Sequence, residues 1–201
     1  LAVATIYYQA ADLILRALGV TPGPVNVNLL VAWMPREYSP SFLAVTNNPL
    51  ATSLQSTGMI GYCTLTNGER SSEPCYDTLQ HGAAACAATL RNGRYPHLLG
   101  AIATGNANEF FAGAYSQGEM WVWNGHSYTL AEIQSVYATL PSVPTAYLST
   151  TSTTPKKAAT TGTTFIGAAA PYALWGVLGL GGIAAGAVLL DEAGVFRRWR
   201  L

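Results

Sequence analysis

Apolar and polar positions alternate along this chain mostly at helical spacing. Residues 4–18 carry apolar side chains at that spacing, with Gly19 placed to cap the helix they predict. Leu1 to Val20 includes Asp12 and Arg16 and reads as an amphipathic helix rather than a secretion signal. Thr21-Pro22-Gly23-Pro24 breaks the chain. A second helix is expected over Val25–Met34, with Asn26 and Asn28 alternating against its apolar face and Pro35 near its end. An extended segment follows, reaching the turn signal Asn47-Asn48-Pro49-Leu50. Residues 56–77 mix Gly, Thr, Asn and Tyr without helical period and predict short strands or a long loop. Leu79–Asn92 is alanine-rich and stops at Asn92-Gly93, so it predicts a helix. A short helix is expected over Tyr95–Ala103 and a helical turn or two over 106–115. The last predicted helix of the domain is Thr129–Leu140, opened by a capping box of Thr129 and Glu132.

The pattern changes after residue 140. Residues 141–164 are mostly Ser, Thr, Pro and Ala with two lysines, a composition that buries too little apolar surface to fold alone and predicts a linker. The 26 residues from Phe165 to Leu190 carry no charge. A hydrocarbon core about 30 Å thick needs roughly 20 apolar helical residues, so this run predicts a single transmembrane helix. Tyr172 and Trp175 suit one interface; Trp199 with Arg197, Arg198 and Arg200 in the basic tail 191–201 suits the other. Gly182 and Gly186 stand at the spacing that lets helices pack closely. The competing expectation is a buried helix of a large assembly. The chain thus divides into a domain at 1–140, a linker at 141–164, a membrane helix at 165–190 and a tail. It is expected to be anchored by a single pass, with the domain on the extracytoplasmic, wall-facing side.

Composition narrows the partners. Charged residues make up 10% of the 201, and ten Lys and Arg balance ten Asp and Glu. No basic surplus is available to neutralise phosphates, so nucleic acid is not an expected partner. A sparsely charged surface rich in Ala, Gly, Ser, Thr and Tyr fits a covered face or one that meets carbohydrate. Cys63 and Cys75 flank a polar, turn-rich stretch that a disulfide would close, whereas Cys86 sits in an alanine run and reads as a small core residue. Spacing alone leaves the pairing open. His81, His97 and His126 show no metal-ligand spacing, so no metal is expected. No phosphate-binding loop, dinucleotide fingerprint or nucleophile elbow occurs, and no cofactor is expected.

The chemistry-bearing residues fall in short clusters: Ala32-Trp33 with Glu37, Asn48-Pro49-Leu50-Ala51-Thr52, Tyr76 with Gly82, and Thr89-Leu90-Arg91-Asn92-Gly93-Arg94-Tyr95. On the residues alone, Glu37 reads as a solvated helix end paired with Arg36 or Arg94. A carboxyl in that place, beside an aromatic residue and a proline break, can instead be desolvated, and desolvation keeps a general acid protonated near neutral pH. In order and spacing, over about residues 25–104, the clusters resemble the lysozyme-like murein hydrolase domains of bacteriophage virion and actinobacterial proteins. Two positions depart from that pattern: Tyr38 stands where the family commonly has Gly, and Pro35 lies between Trp33 and Glu37.

The resemblance implies a mainly α, α+β lysozyme-like domain acting on the glycan strands of peptidoglycan, as a hydrolase or a lytic transglycosylase. It assigns Glu37 as the catalytic acid; Asn48, Tyr62, Tyr76 and Tyr95 are the candidate substrate-binding residues. Tyr62, Tyr76, Tyr95 and the pair Trp121 and Trp123 could stack on sugar rings, or simply pack a core. Glu69, Glu73 and Asp77 are candidates for a second carboxylate, or solvated loop charges. The expected setting is a virion-associated, membrane-anchored enzyme that opens the wall locally during phage entry, with the lipid bilayer and other virion proteins as partners. Two rival readings stand beside it: a non-catalytic structural virion protein keeping a degenerate lysozyme-like domain, and a cellular membrane-anchored wall-remodelling enzyme.

Overall fold

The first amphipathic run folds as α1 (Thr5–Ala17), burying Tyr7, Tyr8, Ala10, Ala11, Ile14 and Leu15 on one side. The computed structural model describes residues 4–148 of the chain. After the Pro-Gly-Pro break comes α2 (Pro24–Glu37), in which Asn26 turns back so that its side-chain oxygen accepts from the Gly23 N–H at 2.7 Å. From Leu29 to Met34 every residue of α2 is fully buried, which makes it the central helix. It packs against α1, and the later helices α5 (Pro96–Thr104), α6 (Ala107–Ala112) and α8 (Leu130–Tyr137) touch it directly, while α4 (Leu79–Leu90) lies along α1.

Two sequence expectations need correction here. The second helix does not end at Met34 but runs through Pro35 to Glu37, because Pro35 sits in the exposed last turn and the Tyr38 N–H still closes on the Met34 carbonyl at 2.9 Å. The following stretch is not extended: Pro40–Thr46 forms α3, started by Pro40 and by the Ser39 hydroxyl accepting from the Phe42 N–H at 3.3 Å. One further helix lies outside the segments expected to be helical. Ala114–Asn124 forms α7, separated from α6 at Gly113 and stopped at Gly125 in the left-handed region.

Between α3 and α4 the chain makes the small β element. β1 (Met59–Gly61) pairs antiparallel with β2 (Cys75–Tyr76), Met59 opposite Tyr76 and Gly61 opposite Cys75, with an irregularity between. A bond between Cys63 and Cys75 closes the intervening loop with a Cα–Cα distance of 5.9 Å, and Cys86 is a buried free thiol. The described residues are therefore mainly helical with one short hairpin.

The expected linker begins to pack rather than hang free. Val143 is buried, and the Tyr147 ring, in a 3-10 turn at Thr145–Tyr147, stacks on Tyr8 with centroids 5.5 Å apart. The rest of the expected linker, the apolar run 165–190 and the basic tail lie outside the described residues. Among the described residues no helix is long and apolar enough to cross a membrane.

Candidate functional site

The central helix delivers Glu37 at its last position, one turn beyond Trp33. That i, i+4 spacing lets the Trp33 indole N–H donate to Glu37 Oε1 at 3.1 Å. The same indole donates to the Tyr128 hydroxyl at 2.6 Å, and the Tyr128 hydroxyl in turn donates to Glu37 Oε1. Tyr128 is held by the turn that ends α7, where the Asn124 amide donates to its carbonyl at 2.8 Å. Trp123 packs edge-on against Trp33 at 5.0 Å and donates its indole N–H to the Leu50 carbonyl at 3.0 Å. Phe110 meets the other side of Trp33 at 6.1 Å. The acid is thus gripped by a buried aromatic cluster drawn from α2, α6, α7 and the turn before α8.

Burial pushes the Glu37 carboxyl up to about 7, against the pull of the Tyr128 and Trp33 donors, and the charge of Glu73 pushes it further up. Tyr128 is itself raised, first by burial and then by the charge of Glu37. A carboxyl in this state holds a proton near neutrality and can give it up, as a general acid must. The solvated helix-end expectation for Glu37 is corrected by this geometry. Arg36 turns away to Glu132, with Nη1 3.7 Å from its carboxylate, and no ion pair joins Glu37 to Arg36 or Arg94 among the described residues.

The other residue clusters singled out in the sequence meet in space, though mostly as framework. Asn48 is fully buried: its amide donates to the Thr52 carbonyl at 2.8 Å and the Pro74 carbonyl at 3.0 Å, and its oxygen accepts from the Thr52 N–H at 3.0 Å. Those bonds hold the Asn-Pro-Leu turn together and leave no side-chain group of Asn48 facing solvent. The Thr52 and Thr89 hydroxyls bond to each other, joining the turn to α4. At Gly82 a Cβ would lie 1.6 Å from the Asn47 carbonyl oxygen and 3.2 Å from the Tyr76 ring, so only glycine lets α4 approach the turn. The spacing of these clusters therefore reports a packing contact.

The aromatic candidates separate by exposure. Tyr76 is buried with its hydroxyl on the Leu54 carbonyl, and Tyr95 is buried edge-on against Trp123 at 5.0 Å. Tyr62 is 39% exposed, with the Arg70 guanidinium 5.7 Å above its ring. Trp121 is 40% exposed and stacks on His126. Of the three loop carboxylates, Glu69 is exposed and bonded to Asn67, and Asp77 is exposed and paired with His81 at 2.6 Å. Glu73 is half-buried, and its charge acts on Glu37.

Two side chains central to this region carry no sequence signal. Tyr128 reaches Glu37 across 91 positions, and nothing local marks it. Glu119, buried on α7, accepts from the N–H groups of His97 and Leu98 at 2.9 and 2.8 Å and so caps α5 in place of a local residue. One concavity of about 530 Å³ lies between α6 and α8, and another of about 380 Å³ beside the start of α2 and residues 140–148. Among the described residues no group of three or more His, Cys, Asp and Glu side chains could hold a metal ion. No protein-family model, characterised protein or solved structure matches the chain.

Proposed function

We propose that this chain cleaves the glycan strands of peptidoglycan, with Glu37 as the general acid that protonates the departing glycosidic oxygen. The observation that carries this reading is the state of Glu37: a carboxyl desolvated at the end of a buried helix, raised to about 7, and oriented by the Tyr128 hydroxyl and the Trp33 indole. A glycosidic bond breaks at useful rates only when such an acid meets the leaving oxygen. The residue clusters shared with lysozyme-like murein hydrolases supply the substrate class. Water would complete a hydrolase reaction; attack by the sugar's own 6-hydroxyl would complete a lytic transglycosylase reaction. In this proposal the uncharged run 165–190 tethers the domain to a bilayer, and a phage particle carries it to the wall.

A non-catalytic virion module with the same fold is favoured by one specific feature: Asn48, Tyr76 and Tyr95 are buried as framework rather than open to a sugar. Zymography on purified peptidoglycan decides between the two. The full chain should clear the gel and Glu37→Gln should not; equal clearing removes Glu37 as the acid, and no clearing by the full chain at any pH from 4 to 9 removes the enzyme reading.

A further inference from the structure

The two concavities share a wall. Tyr137, the last residue of α8, lines both the hollow of about 530 Å³ between α6 and α8 and the one of about 380 Å³ beside the start of α2. Phe111 of α6 packs edge-on against its ring at 5.2 Å. Phe111 in turn meets Phe110 at 5.0 Å, and Phe110 meets Trp33 at 6.1 Å, so this wall backs onto the aromatic cluster that holds Glu37. Core packing therefore fixes the rings before any ligand arrives.

The remaining lining is neutral. Asn108 and Gln134 are exposed on the larger hollow, and Asn28 lines the smaller one with its Oδ1 buried and without a hydrogen-bond partner. No residue lining either hollow is charged; the others are Ala, Pro, Val, Leu and Ser. The charges of the two helices are engaged elsewhere. Glu109 of α6 accepts from the Asn106 amide at 3.4 Å, and Glu132 of α8 accepts from the Thr129 N–H at 2.7 Å and faces Arg36.

Two rings, three amides and no charge describe the ligand. A charged polymer would enter without a counter-charge and lose hydration for nothing. A purely apolar ligand would cover the amides and leave them unpaired, as Asn28 Oδ1 already is. An extended peptide seeks a sheet edge, whereas these hollows are walled by helices and the segment 140–148. An N-acetylated sugar strand has what the lining asks for: flat C–H faces for the rings, and amide and hydroxyl groups for Asn28, Asn108 and Gln134. A strand long enough to pass Tyr137 reaches both hollows. We propose, resting on the glycan assignment above, that they form a second glycan-binding site for a neutral N-acetylhexosamine strand. Glu37 lines neither hollow, so this site holds the wall without cutting it.

The test is equilibrium binding of a fluorescent N-acetylglucosamine tetramer to the full chain carrying Glu37→Gln, which removes turnover. Ala112→Trp and Ala138→Trp each fill the larger hollow from an exposed position and should weaken binding there by about ten-fold or more. Asn108→Ala combined with Gln134→Ala should weaken it without adding bulk. Ala131→Trp, exposed on α8 but outside the lining, should leave it unchanged. Any tetramer held beside Glu37 is a separate binding class, which filling the hollow leaves in place. The de-N-acetylated, cationic tetramer should not bind at the hollow. Unchanged binding in the filled and amide-deleted variants overturns the site, and so does a chain that binds no tetramer. Equal binding of the cationic tetramer overturns the ligand class. Lysis by the parent chain is scored apart from this. If lysis holds and filling changes nothing, this site falls and the enzyme reading stands; if lysis fails and filling still costs binding, the reverse holds.

Discussion

The Tyr128 hydroxyl donates to Glu37 Oε1 while accepting from the Trp33 indole, so a single phenol bridges the central helix and the turn before α8. That bridge sets both the direction in which the carboxyl faces and part of its proton affinity. Burial works to keep Glu37 protonated, and the two donors work to release the proton. A general acid needs both tendencies in balance.

Replacing Tyr128 by Phe removes one side of that balance. The Glu37 midpoint should rise, because the carboxylate loses a donor, and the alkaline limb of lysis should move to higher pH. The Trp33 N–H keeps Glu37 as an acceptor, so the fold should survive with a loss of about 1–2 kcal/mol in denaturant unfolding. A limb that stays in place or moves to lower pH would refute the bridge as a determinant of proton affinity.

Glu37 also makes stability depend on pH, in a direction opposite to that of an ion-paired carboxylate. Its folded value, about 7, is raised above the ordinary 4.5, so the folded chain binds its proton more tightly than the unfolded chain. The resulting stabilisation is fully present below the ordinary carboxylate range and is lost as pH rises through about 7. Allowing for partial exposure, the loss should be on the order of 2 kcal/mol between pH 4 and 8. Thermal melts of Glu37→Gln should show a flatter dependence over that range and greater stability than the parent at pH 8. Parallel curves for the two proteins would show that Glu37 is not desolvated.

The sequence made the helices legible wherever an apolar period and a local signal agreed. The Thr129 and Glu132 capping box is present as expected, and α4 ends within two residues of its expected stop. It failed where a distant partner decides the outcome. The run Ala114–Asn124 contains Gly118 at mid-helix and an inward carboxylate, so its period is poor; it folds because Glu119 caps α5 and Met120 enters the core. Pro35 looked like a helix stop, but only the last turn, facing solvent, has to tolerate it. The same limit applies at the site. On its residues alone Glu37 read as a solvated helix end, because its enclosure depends on Tyr128 and Trp123, about ninety positions away. Asn48, Tyr76 and Tyr95 were legible as a pattern, and that pattern turns out to describe how the turn, the hairpin and α4 fit together.

The expected membrane tether at 165–190 makes a separate prediction. The full chain should partition with lipid vesicles or detergent, and a chain ending at Leu148 should not. Burying a charge at the centre of a spanning helix costs about 2.5–3.5 kcal/mol on insertion scales, so Gly179→Arg should weaken partition while lysis of isolated peptidoglycan is retained. Equal partition of the full and shortened chains would withdraw the tether.

The cysteines provide a direct check on the hairpin. An intact, denatured chain should show one thiol to an alkylating reagent without reductant and three with it, because Cys63 and Cys75 are bonded and Cys86 is free. In the native state Cys86 should stay unlabelled for as long as the domain remains folded, since burial pushes its thiol up to about 12 and leaves no thiolate to react. Rapid native labelling, or a bridge that includes Cys86, would contradict the packing of α4 against Asn48.

Gly82 offers the sharpest test of how the hairpin, the turn and α4 are joined. A methyl group there would lie 1.6 Å from the Asn47 carbonyl oxygen, and that oxygen belongs to a backbone held from both sides. Asn47 is in the left-handed region and its amide donates to the Tyr76 carbonyl at 2.9 Å, while Asn48 is locked to Thr52 and Pro74. The carbonyl cannot retreat without breaking those bonds, so α4 must move instead. Gly82→Ala should therefore destabilise by about 3 kcal/mol or more, well above the small gain alanine brings to a helix interior. Ala84→Gly, at an exposed position of the same helix, should cost only about 1 kcal/mol. If Gly82→Ala proved neutral or stabilising in denaturant unfolding, the close approach of α4 to the Asn-Pro-Leu turn would be wrong, and the shared spacing of those clusters would need another cause.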